Sequence, residues 1–196
     1  LERPYDVHQY VSWVAFAVLL AAFFGLHTPV RSNTPLGIAL TVIYAVLAGV
    51  VFLSAGKCMR IDPRDKGAAP EEAQQRWCYY CELQVHQRSK HCRRCNKCVE
   101  VFDHHCPWLN TCIGKHNYPF FLTLLCSAFA LLSLQIAASV QACVESQLDD
   151  AAGAQLQRVY GAMSTLAYTL LNGAACVVAL GAWLAVFQLL VFHVGP

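Results

Sequence analysis

Cys78-x2-Cys81 and Cys92-x2-Cys95 are thiol pairs at the spacing that chelates a soft metal ion. They open a stretch from Trp77 to Phe121 that holds seven of the chain's eleven cysteines and five of its eight histidines. Beyond the pairs the stretch continues His91-Cys92-x2-Cys95-x2-Cys98-x4-Asp103-His104-His105-Cys106-x5-Cys112. A structural zinc site is tetrahedral and closed, with four Cys or His ligands. Two pairs imply two such sites and eight ligands, so some of these thiols and imidazoles are surplus. Cys106 is the informative surplus, because histidines flank it and Asp103 precedes it. In extended backbone, successive side chains alternate sides. His104 and Cys106 then share one side, and His105 turns to the other, toward a metal. In a helix, residues two apart do not face each other, so Asp103 to Cys106 is expected not to be helical.

A thiol beside an imidazole and a carboxylate supports nucleophilic chemistry. The thiolate is the reactive form, and an ordinary cysteine is mostly protonated at neutral pH. An adjacent histidine takes the proton, and a carboxylate fixes that ring's tautomer.

The stretch resembles the cysteine-rich domain of the DHHC protein S-acyltransferases (palmitoyltransferases). Eleven Cys, His and Asp positions are in register, followed by Asn117, Phe121 and a hydrophobic span. The resemblance implies one zinc on Cys78, Cys81, His91 and Cys98, and a second on Cys92, Cys95, His105 and Cys112. It implies Cys106 as the nucleophile that carries the acyl group, His104 as its general base and Asp103 as the group orienting that base. It also implies that Trp108 contacts the thioester end of the acyl chain; an interfacial anchor is the plainer alternative. Two structural zinc ions are the expected cofactors, and long-chain acyl-CoA the expected substrate. Membrane-associated proteins are the expected acceptors. Lys90, Arg93, Arg94, Lys97 and Lys115 are candidates for the coenzyme A phosphates or for anionic lipid.

The elements that must position this chemistry are apolar. Of 196 residues, 57% are hydrophobic and 13% charged, with mean hydropathy +0.41, against roughly 25% charged in soluble domains. A net charge of +2 argues against a nucleic-acid partner. The expected fold class is an α-helical integral membrane protein with four transmembrane helices. A small cytosolic zinc-binding domain is expected between the second and third. Spans are expected at about 10–27, 36–53, 118–142 and 161–193. This divides the chain into a hairpin (1–56), the zinc domain (57–117) and a second pair (118–196). The two prolines between His27 and Pro35 read as a tight turn. Cys58 to Arg76, including Ala69 to Glu72, reads as a polar connector, and Cys143 to Arg158 as a polar stretch. The family's Asp-Pro-Gly motif is met only in part by Asp62-Pro63-Arg64, with a helix-ending turn as the alternative. Gln135 and Asn172 read as interhelical hydrogen-bond partners, and Cys126 and Cys176 as packing hydrophobes. No internal repeat is apparent.

Eleven of the fourteen Lys and Arg residues lie between Lys57 and Lys115. Basic residues near spans mark the cytoplasmic side, so the zinc domain and both termini are expected in the cytosol. That compartment also keeps thiols reduced. The expected location is a multi-pass protein of the endomembrane system, ER or Golgi. The first span lacks signal-peptide flanks. The chain opens at Leu1 without Met and ends at Pro196, before the family's Thr-Thr-x-Glu motif, so a fragment is expected. The alternative functions are a catalytically silent zinc scaffold at the membrane and a RING-like ligase module; the latter leaves His104 and Cys106 unexplained.

Overall fold

The computed structural model describes residues 6–67, 75–161 and 163–194. The expected stretch Ala69 to Glu72 lies outside them. Six helices and six short strands follow in the order α1 (Val7–Ala22), α2 (Thr28–Arg31), α3 (Pro35–Arg60), β1 (Gln75–Cys78), β2 (Leu83–His86), β3 (Lys90–Cys92), β4 (Lys97–Val99), β5 (His104–Cys106), β6 (Thr111–Ile113), α4 (Tyr118–Leu148), α5 (Asp150–Tyr160) and α6 (Thr165–Val194). Four helical stretches are long and apolar enough to cross a membrane: Val7–Arg31, Pro35–Arg60, Tyr118–Leu148 and Thr165–His193. Their apolar side chains point largely outward, with Phe52 68%, Val177 72% and Phe192 79% exposed. Water would penalise such surface, whereas lipid does not. The chain is an α-helical membrane protein with a cysteine-rich insertion between its second and third spans.

Two compact units emerge. One comprises Leu1–Ser12 and Phe52–Leu124, the other Trp13–Val51 and Leu125–Pro196. In the second unit, polar groups pair inside an apolar bundle. The buried Tyr44 hydroxyl donates to Gln135 Oε1 at 2.7 Å, and Gln135 Nε2 donates to Ser139. Trp183 Nε1 donates to Ser133 at 2.8 Å. Gln135 thus bridges helices as expected. Asn172 does not, since its amide donates to the Tyr168 carbonyl one turn back on α6. Cys126 is exposed rather than packed inside. Val18, Ala21, Ala22 and Leu26 line a recess of about 330 Å³ with Leu171, Ala174, Ala175 and Val178.

The turn expected from His27 begins later than the sequence suggests. Helix runs through Pro29 to Arg31, with a π turn at Phe23–His27 closed by the Thr28 amide on the Phe23 carbonyl. Proline has no N–H for the carbonyl four residues back, here Gly25. The Tyr160 hydroxyl donates to Gly25 O, and the Tyr168 hydroxyl to Leu26 O at 3.3 Å. The stranded acceptors are satisfied from outside the helix, so the proline is tolerated. Thr34 then caps α3 by accepting from Gly37 N at 3.0 Å. A Cβ on Gly37 would meet the Arg31 carbonyl oxygen at 2.1 Å, so only glycine fits there. The stretch expected to be merely polar after 143 is helical too. Helix α5 is capped by Asp149, which accepts from Ala151 N, and buries Leu156.

The insertion is three antiparallel hairpins, β1–β2, β3–β4 and β5–β6. They form a repeat that is hard to see in the sequence. Cys78, Cys92 and Cys106 stand fourteen residues apart. So do Val85, Val99 and Ile113, each 0% exposed. Glu82, Asn96 and Asn110 keep the same step and turn the chain at φ 49°, 43° and 50°. Cysteines alone mark the repeat weakly because the ligands change along it, which is why composition does not reveal it.

Candidate metal centres and thiol site

Each hairpin crosses two side chains at one level of its ladder. The pairs are Trp77–Gln84, His91–Cys98 and His105–Cys112. The His–Cys pair of the second hairpin meets the turn cysteines of the first, giving the group Cys78, Cys81, His91 and Cys98. The pair of the third meets the turn of the second, giving Cys92, Cys95, His105 and Cys112. Within each group the donor atoms lie within 4.8 Å of one another. His91 Nδ1 is 3.3 Å from Cys81 Sγ and 3.9 Å from Cys78 Sγ. His105 Nδ1 repeats those distances to Cys95 and Cys92. Burial, with crowding by Cys78 and Cys81, pushes the Cys98 thiol up; crowding by Cys95, with burial, does the same to Cys112. Three thiolates gathered so closely need a cation among them. Two groups of three cysteines and one histidine fit zinc in closed tetrahedral sites.

Cys106 belongs to neither group. It ends strand β5, and its side chain is 5% exposed. The backbone from His104 to Cys106 is extended, so His104 and Cys106 leave one side of the strand. His104 Nδ1 lies 2.6 Å from Asp103 Oδ2. A carboxylate only accepts, so Nδ1 carries the proton and Nε2 is the basic nitrogen. Phe121 packs edge-on against this ring with centroids 5.2 Å apart. Burial pushes the Cys106 thiol up, against the pull of the Leu109 and Trp108 backbone amides. Trp108 is 45% exposed, and the start of α1 holds it. His8 meets its ring edge-on at 5.1 Å, and Ser12 Oγ donates to its carbonyl.

Several residues that hold this arrangement are not among the metal ligands or the catalytic residues expected from the sequence. Asp65 is 1% exposed and accepts from Gly67 N, His86 N and Ser89 Oγ, with His86 Nδ1 at 3.1 Å. Its own amide donates to the Cys98 carbonyl at 2.9 Å. Asp62 accepts from Lys97 Nζ, and Arg64 bridges Val99. The stretch from Asp62 is therefore more than a helix-ending turn: it runs along β4. Asn117 is fully buried and donates to the Cys58 and Cys112 carbonyls, tying α3 and a metal-site residue to the start of α4. A Cβ on Gly114 would meet Val99 Cγ1 at 2.5 Å and Glu100 O at 2.7 Å, so the β4 and β6 segments approach only over a glycine. The Gly after Ile113 and the Asp after Arg64 carried the signal, but neither is a metal ligand or a nucleophile.

Residues 71–195 match the family model of the DHHC palmitoyltransferases. Among curated proteins, palmitoyltransferase ZDHHC8 of Drosophila melanogaster is 52% identical over 52 residues, 26% of this chain and 6% of that protein. Probable protein S-acyltransferase 20 of Arabidopsis thaliana is 38% identical over 78 residues, 40% of this chain and 11% of that protein. Palmitoyltransferase ZDHHC5 of Homo sapiens is 46% identical over 59 residues, 30% of this chain and 8% of that protein. The chain thus spans a small part of the length of the curated relatives it matches.

Proposed function

This chain belongs to the DHHC palmitoyltransferase family, and on that premise we propose that it is a protein S-acyltransferase acting through Cys106. It takes a long acyl chain from acyl-CoA and passes it to cysteines of membrane-proximal proteins. The observation that carries this reading is a buried thiol left out of two complete four-donor groups, on the same strand side as a histidine whose tautomer a carboxylate fixes.

In the first half-reaction His104 Nε2 takes the Cys106 proton, and Sγ attacks the thioester carbonyl of acyl-CoA. The carbon–sulfur bond to coenzyme A breaks, and its thiolate leaves with the proton that His104 returns. In the second half-reaction an acceptor cysteine, deprotonated by the same base, attacks the acyl-Cys106 thioester and restores the free thiol. The Trp108 and Leu109 amides favour the anionic sulfur. Zinc, held by Cys78, Cys81, His91 and Cys98 and by Cys92, Cys95, His105 and Cys112, supplies rigidity on both sides of this loop.

Substrate chemistry fits the surroundings. Each acyl methylene buried is worth about 0.8 kcal/mol, so the tail belongs among apolar spans rather than in water. Of the five candidate cations for the coenzyme A phosphates, Arg94, Lys97 and Lys115 already pair with Asp6, Asp62 and Glu100. Lys90 and Arg93 are exposed without an acidic partner among the described residues, so they take that role. The concentration of Lys and Arg around the hairpins supports a cytosolic placement of this domain.

The test is labelling of the membrane-embedded chain with a clickable fatty acyl-CoA. Hydroxylamine-sensitive label is expected on the parent and absent from Cys106→Ala, with metal content equal in both. Label that persists in the variant, or metal lost with the thiol, overturns the reading.

A further inference from the structure

The three hairpins share one plan at a step of fourteen residues, and that plan says what is unusual about the third. In each, a cysteine leads the turn, at 78, 92 and 106. Three residues later the first two hairpins have a second cysteine, Cys81 and Cys95, and the third has Leu109. The next residue turns the chain with positive φ in all three, at Glu82, Asn96 and Asn110. Each metal group is built from the turn of one hairpin and the ladder pair of the next. The first hairpin has no predecessor among the described residues, and its ladder pair is Trp77–Gln84, which offers no thiol or imidazole. The third lends His105 and Cys112 backward, and no fourth hairpin follows it among the described residues.

Cys106 is thus the first donor of a metal-type turn at the open end of the array. Two thiolates on such a turn chelate, because binding through one raises the effective concentration of the other. A lone thiolate lacks that advantage, and soft ions such as zinc prefer sites with several sulfurs. We propose that Leu109 is a selectivity residue: an aliphatic side chain at the second-donor position keeps Cys106 out of metal coordination and available for acyl chemistry. Leu109 is 9% exposed, so it also fills the turn it occupies. The proposal rests on the reading of Cys106 as acyl carrier only in its last step; the exclusion of metal stands on the repeat.

The experiment compares the whole chain, purified in detergent, with Leu109→Cys, Leu109→Val and Cys106→Ser/Leu109→Cys. Each is equilibrated with zinc or cadmium, desalted and analysed for metal per chain. Leu109→Cys is expected to hold one more ion than the parent, and the double variant to match the parent. Acyl loading of Leu109→Cys is expected to be lost in zinc. It should return after a mild chelator that leaves the parent's metal in place. Leu109→Val should keep the parent's metal count. If Leu109→Cys keeps the parent's metal count, or loads acyl unimpaired at saturating zinc, the proposal is wrong. Should that variant aggregate, Leu109→His supplies a second donor of different shape and is read in the same way. A parent chain that never loads acyl at Cys106 would defeat the proposed function, while the metal counts would still decide the role of Leu109.

Discussion

Along β5 the imidazoles of His104 and His105 leave the backbone on opposite sides, so neighbours in sequence answer to different partners. His105 stands opposite Cys112 on the ladder and beside Cys92 and Cys95. His104 is held by Asp103 and backed by Phe121. On the proposed reading the two fail differently when truncated. His104→Ala should keep both metals and slow acyl loading by about 10²–10⁴-fold, the usual worth of a general base. His105→Ala should lose one metal and, with it, the folding free energy that binding supplies. Metal analysis beside a loading time course checks both; equal metal loss in the two variants would refute the division. At this scale the extended backbone of His104–Cys106 and the two four-donor groups were legible in the sequence. Alternation along an extended strand sorted the two histidines, because hairpins too short for a hydrophobic pattern are fixed by their ligands. Leu109 was not legible, since a leucine among cysteines signals nothing until the repeat gives its position a meaning.

The hairpins are too small to be stable by burial alone, so their connections matter. Asp65 is the clearest case, a fully buried carboxylate that gathers the Gly67 amide, both His86 groups and the Ser89 hydroxyl while its own amide holds Cys98. Burial alone would raise its pKa, but the Ser89, Gly67 and His86 hydrogen bonds outweigh that and hold it below the ordinary carboxylate value. Leaving buried donors unpaired costs about 1–3 kcal/mol each. Asp65→Ala should therefore destabilise the hairpins by several such increments, and Asp65→Asn, which keeps an acceptor oxygen, by less. Limited proteolysis between Arg76 and Lys115 measures this; cleavage no faster than in the parent would show Asp65 to be dispensable. Gly114→Ala should act similarly, through the contact with Val99. Among the helices, the sequence located the four apolar spans but misjudged their ends. Proline is a reliable helix breaker only where the carbonyl it strands has no other donor, and Tyr160 supplies one to Gly25. That partner lies 135 residues away, beyond any local rule. Tyr160→Phe should loosen this helix end, seen as faster hydrogen exchange at Leu26 and His27 than in the parent.

For the molecule as a whole, orientation in the membrane is what the chemistry depends on, because metal-bound and nucleophilic thiols need a reducing compartment. The four spans follow from apolar length, whereas the proposed orientation rests on charge. Eleven of fourteen Lys and Arg residues lie from Lys57 to Lys115, two in the last turn of the second span and nine between the second and third spans. Only Arg31 lies near the turn between the first two spans, and it pairs with Glu145 on α4. Only Arg158 lies between the last two. On the proposed topology an even number of spans separates Asp6 from His193, which puts both ends on the side of the hairpins. The opposite side carries Asp149, which caps α5 by accepting from Ala151 N at 2.8 Å. Asparagine caps as well as aspartate, so an acceptor for N-glycosylation can be placed there without harming the helix. Asp149→Asn with Ala151→Thr completes the Asn-x-Thr signal and should yield a glycosylated chain in microsomes, seen as a shift removed by endoglycosidase. Lys66→Asn with Ala68→Thr places the same signal in the connector before β1 and should leave the chain unmodified. The reverse pattern would put the cysteines in the oxidising lumen, where Cys106 could not persist as a free thiol, and the acyl-transfer reading would fall with the topology.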